Sequence, residues 1–163
     1  MKRAELRRFI VVVLPFSVAA ALIVSAAVTL VTGANPVGEP LINDHWHATY
    51  QVWICEERQP NFPTWESGVH THSDGIIHIH PFQEFEEGRG SRLVKFFEYG
   101  GGELTQTEMQ LPGTGLRVRN GDECPNGTAG TLQVSVNDAP LEDWMEYIPA
   151  DGDRIVITFD TKP

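Results

Sequence analysis

Residues 9–32 form a run of 24 positions without a charged side chain. A helix of about 20 apolar residues crosses a hydrocarbon core of ~30 Å. The run contains Pro15, which bilayer helices tolerate because neighbouring groups satisfy the freed carbonyl. Beyond it the pattern changes to short alternating segments. Residues 49–54, Thr-Tyr-Gln-Val-Trp-Ile, are β-branched and aromatic; residues 76–80 alternate Ile with His; residues 132–136 alternate with period two and meet the turn pair Asn137-Asp138. Residues 154–159 form a last strand, entered through Asp151-Gly152-Asp153. These are strand signals. One short helix is expected, capped by Ser91, striped by Leu93, Phe96 and Phe97, and ended by Gly100. Residues 56–68, with Pro60 and Pro63, read as loop. The expected class is mainly β or α+β, one transmembrane helix followed by a small β-rich domain with one helix.

Charge orients the first segment. Lys2, Arg3, Arg7 and Arg8 precede the apolar run, and the next basic residue is Arg58. The positive-inside rule then places the N-terminus in the cytoplasm and the remainder outside it, at the cell membrane. A cleaved signal peptide is the alternative, since Ser25-Ala26-Ala27 has the small side chains of a cleavage site; its apolar core is usually ~7–15 residues. The expected organisation is a basic segment at 1–8, a signal-anchor helix at 9–32, a Gly- and Pro-containing linker at 33–40 and an extracytoplasmic domain at 41–163. The formal charge of -10 argues against a nucleic-acid partner.

Two cysteines, Cys55 and Cys124, exclude a four-cysteine zinc or iron–sulfur site within one chain. Outside the cytoplasm they are expected to form a disulfide closing about seventy residues, worth ~3–4 kcal/mol by the chain-entropy model. Cys55 also shares the alternation of His45 and His47, which leaves a ligand role open, although eight residues of extended strand span about 26 Å.

All six histidines lie between positions 45 and 80, as the pairs His45/His47, His70/His72 and His78/His80. Residues two apart on a strand share a face, and imidazole is the commonest metal-binding side chain. The pairs therefore point to a metal centre. An imidazole-based pH sensor would use the same residues through protonation. The last two pairs flank Ser73-Asp74-Gly75. A two-residue loop would put these pairs on opposite faces. A three-residue loop with Gly75 left-handed pairs His70 with His78 and His72 with Ile76, bringing four histidines to one face. That register is expected, with His45 and His47 on a neighbouring strand and Trp46, Ile77 and Ile79 turned to the core. Asp44 is a candidate to hold a ring N–H, or else a turn residue. Glu84, Glu86 and Glu87 read as a solvated acidic patch, with Glu84 the best exception. The ligand set suits zinc or copper; Met1, Met109 and Met145 lie too far along the chain to make a thioether site.

The blocks D-H-W-H-A-T-Y (44–50) and H-T-H-S-D-G-I-I-H-I-H-P-F (70–82) resemble those of uncharacterised single-pass bacterial membrane proteins. His78-Ile79-His80-Pro81-Phe82-Gln83-Glu84 is similar to the H-x-H-x3-E piece of cupins, without their glycine spacing or later histidine. Residues 136–155 resemble the last strands of β-grasp domains. Together these features imply a membrane-anchored, extracytoplasmic metal-binding protein for zinc or copper handling or sensing. A metal-dependent enzyme with an open coordination position, or a non-catalytic accessory subunit of a membrane-protein complex, are the other readings.

Overall fold

The computed structural model describes residues 38–161, and among these, ten strands and one α-helix organise the fold. They are β1 (Trp46–Ile54), β2 (Glu57–Arg58), β3 (Val69–His70), β4 (Ile76–Ile79), α1 (Leu93–Tyr99), β5 (Glu103–Leu104), β6 (Glu108–Gln110), β7 (Arg117–Arg119), β8 (Thr131–Val136), β9 (Ala139–Leu141) and β10 (Arg154–Asp160). The expected membrane segment at 9–32 lies outside the described residues, as do positions 33–37 of the linker. Among the described residues no helix is long and apolar enough to cross a membrane.

The main sheet runs β3-β4-β1-β10-β8-β9, with β2 also paired to β1. Its centre is a parallel pair, β1 beside β10, and its other ladders are antiparallel. A parallel neighbour requires a crossover, which is why the helix and the smaller sheet β5-β6-β7 fall between the two strands in sequence.

Register sets the core. Tyr50 lies beside Ile155, Val52 beside Ile157, Ala48 beside Ile77, and Ile157 also beside Val134. All seven are buried. Against this face packs α1, whose Leu93, Phe96 and Phe97 are wholly buried. Tyr50 anchors the contact, its ring centroid 4.9 Å from Phe62 and 5.3 Å from Phe96. Its hydroxyl accepts the Phe62 N–H at 2.8 Å. The other face of β1, with His47, Thr49 and Gln51, is exposed.

The helix lies where the apolar stripe places it, but Ser91 does not cap it. Ser91 is buried and donates to the Glu86 carbonyl, while Arg92 occupies the cap position. The Leu93 N–H instead donates to the Tyr147 carbonyl at 2.8 Å. A tertiary contact thus replaces the local one. Glu86 departs from the expected acidic patch: it is 3% exposed. Its carboxylate accepts the N–H groups of Gly68, Phe82 and Gln83 at 2.7, 2.8 and 3.0 Å. Three directed donors compensate the desolvation of the charge. They also tie the segment after His80 to the start of β3. Gly68 makes this approach possible, since a Cβ there would stand 2.4 Å from Glu86 Oε2.

Cys55 and Cys124 form the expected disulfide, with Cα atoms 5.5 Å apart. Cys55 ends β1 in a left-handed conformation and, being bridged, is not a free ligand. Asn137 and Asp138 turn β8 into β9 with positive φ at both positions, as the expected turn requires. The small sheet was not expected; its strands are two or three residues long and pair antiparallel, with Glu108 on β6 bridging to Arg117 and Arg119 on β7.

Candidate metal centre

The histidine-bearing face of β1, β4 and β3 carries three of the histidines, His47, His78 and His70. His47 pairs across the ladder with His78, and His78 with His70. Three imidazoles therefore stand in one cross-strand row. The pairing of His70 with His78 is the register expected from a turn at Ser73-Asp74-Gly75. The turn itself is looser than a three-residue loop. The β3–β4 ladder ends at His70, so Thr71 and His72 leave the strand, and Ser73 as well as Gly75 has positive φ. The cause is visible in Asp74. Its Oδ1 accepts the Ile76 N–H at 3.0 Å and the Thr71 hydroxyl at 3.2 Å. Those bonds draw the chain into a wider turn.

His45 precedes β1, and its ring centroid lies 4.6 Å from His47 and 5.0 Å from His80. One nitrogen from each of His45, His47 and His78 lies within 4.8 Å of the other two. Two nitrogens bound to one ion at 2.0–2.1 Å stand about 3.3 Å apart in a tetrahedral site. Side-chain rotation closes the difference, and His45 and His47 are exposed and free to make it. This group fits a metal ion in number, donor chemistry and access.

His70 is set deeper. It is 6% exposed, and its Nδ1 donates to the Ser67 carbonyl at 2.7 Å. A carbonyl only accepts, so the proton sits on Nδ1 and Nε2 carries the lone pair. That Nε2 meets His72 Nε2 at 3.1 Å. Burial pushes the His70 pKa down to about 4, opposed by the Ser67 bond and reinforced by His80, His72 and His78. Burial also lowers His80, aided by His45 and His78.

Of the two carboxylates expected near the rings, neither meets an imidazole. Asp44 Oδ2 accepts the Leu41 N–H at 2.8 Å, which is a turn role. Glu84 is exposed in a 3-10 turn. The carboxylate that does reach a ring is Asp74, whose Oδ2 lies 2.9 Å from His78 Nε2. Burial alone would raise the Asp74 pKa, but bonds from His78, Ile76 and Thr71 outweigh it and hold it down to about 2. The sequence carried a signal for this: Asp74 is the turn residue four positions before His78. Asp151, marked in the sequence only as part of the turn into the last strand, accepts the His47 N–H at its Oδ1 at 2.8 Å and sets the start of β1. Compared with known proteins, the chain matches no family model, no curated protein and no solved structure.

Proposed function

We propose that this is a membrane-anchored, extracytoplasmic metal-binding protein that handles or senses zinc or copper. The observation that carries the reading is the group His45, His47 and His78, three imidazole donors gathered on an open sheet face. Imidazole suits both ions, and no thiol competes because both cysteines are bridged. Exposure of the site favours an ion that enters and leaves over one locked into the fold. The disulfide agrees with an oxidising compartment, and the apolar run at 9–32 supports an anchor. The central parallel pair of first and last long strands, with a helix on one face, supports the β-grasp resemblance. A second reading, a metal-dependent enzyme, draws on the same trio: three protein ligands leave a fourth position for water or substrate.

The test is elemental analysis of the full chain purified without a polyhistidine tag. Zinc or copper retained through dialysis, and reduced in His47→Asn, supports the reading. A chain that retains neither metal refutes it.

A further inference from the structure

The trio uses half of the histidines. The other three are not bystanders on distant surfaces: His70 and His72 meet nitrogen to nitrogen at 3.1 Å, and the His80 ring centroid lies 4.6 Å from His70. We propose that His70, His72 and His80 form a second ion-binding site beside the first, so that this face takes two borderline-soft divalent cations. The inference rests on reading the histidine face as a metal centre.

Three features support it. The first is bite. Two nitrogens that share a tetrahedral ion stand about 3.3 Å apart, and His70 and His72 already hold that spacing. The second is orientation. Metal-binding imidazoles characteristically donate their other ring N–H to a carbonyl or carboxylate, which fixes the tautomer. His70 does this through Ser67, leaving its Nε2 lone pair aimed at the shared position. In the metal-free molecule His72 fills that position with its own N–H. An ion replaces that proton once His72 shifts it to Nδ1. The third is charge. The two sites adjoin across His78, whose ring centroid is 4.8 Å from His47 and 4.7 Å from His72. Two dications so close repel each other. Asp74, bonded to His78 between them, supplies the negative charge that offsets part of the repulsion. His80, within 5.0 Å of His45 by centroid, completes the second set from the edge of the first.

The experiment counts zinc. The full chain without a polyhistidine tag is loaded with zinc, dialysed and measured for zinc per chain. The expected result is two for the native protein and one for His72→Asn. His72 is exposed, so its replacement leaves the core intact, and far-ultraviolet circular dichroism checks this. His70→Asn, which touches a buried residue, serves as the second variant and is expected to give one as well. A native count of one, lost in His47→Asn but unchanged in His72→Asn, overturns the second site while leaving the proposed function standing. A native count of two that His72→Asn does not reduce overturns it also. A native count of zero overturns the second site, and a count of zero after copper loading as well overturns the proposed function too.

Discussion

His70 and Asp74 titrate away from their ordinary ranges in opposite chemical senses, yet both make the metal-free fold weaker in acid. For His70, the folded pKa of about 4 lies below the unfolded value. The unfolded chain therefore binds the proton first. Its contribution to stability is complete above ~6.5 and declines as pH falls from there to about 4. Asp74, held at about 2 in the fold, contributes above the ordinary value of 3.8 and loses that contribution as pH falls through about 2. Urea midpoints of the metal-free protein should therefore drop in two stages, the upper one between pH 6.5 and 4. His70→Asn should flatten that upper stage; an unchanged profile would count against the buried, neutral His70. A third residue, Glu86, binds three backbone N–H groups within the fold. Glu86→Ala leaves these donors unpaired and should cost about 2–4 kcal/mol in urea unfolding. It lies outside both sets of imidazoles, so metal per folded chain should be unchanged.

At the scale of elements, β1 separates two jobs along its length. Its start carries the histidines, and its end carries Cys55. The eight residue steps from His47 to Cys55 amount to about 26 Å of extended strand. Reduction of the disulfide should therefore lower stability by ~4 kcal/mol in the chain-entropy model without emptying the metal site. Denaturant unfolding with and without reductant, paired with elemental analysis, checks both halves. The β3–β4 turn behaves differently. Gly75 has a φ of +80°, and a Cβ there would meet the Asn61 side chain at 3.3 Å. Gly75→Val should disturb the His70–His78 pairing and lower zinc affinity more than a surface substitution such as Glu56→Ala, as competition with a chelating dye would record. The strands themselves were legible because alternation is long in β1, β8 and β10. The β3–β4 register was legible because Gly75 marked the turn and pairing His70 with His78 put the His pairs together, although the turn itself is wider than the expected loop. The small sheet was not, since two- and three-residue strands hold no measurable period. The helix cap was misread because Ser91 found a tertiary acceptor in the Glu86 carbonyl, and a sequence shows only local partners. Glu86 itself was hidden for the same reason: three glutamates in four positions read as a solvated cluster, and nothing local marks the one that turns inward. The six histidines were legible as a group, whereas Asp74 was seen as a turn former alone.

For the whole molecule, the histidine face and the apolar run at 9–32 are joined by a short stretch of chain. The expected anchor predicts that the full-length protein stays with membranes through alkaline carbonate washing and that a chain starting at Gly38 is released. Recovery of the native protein in the wash supernatant would count against anchoring. Removing residues 1–37 should leave zinc per chain unchanged, because every histidine lies beyond them.

The parallel pairing of β1 with β10 has a consequence for biosynthesis. The liganding strand is positioned by partners that the ribosome delivers about a hundred residues later: Asp151 receives the His47 N–H, and the Gly152 N–H donates to the His47 carbonyl at 2.7 Å. All six histidines are therefore synthesised well before the framework that spaces them exists. A nascent chain carries the imidazoles without the spacing that the pairing of β1 with β10 gives them. Closing so long a loop is slow relative to local hairpins. The spacing of the histidines is thus a property of the finished fold, reached in whichever compartment β10 joins β1.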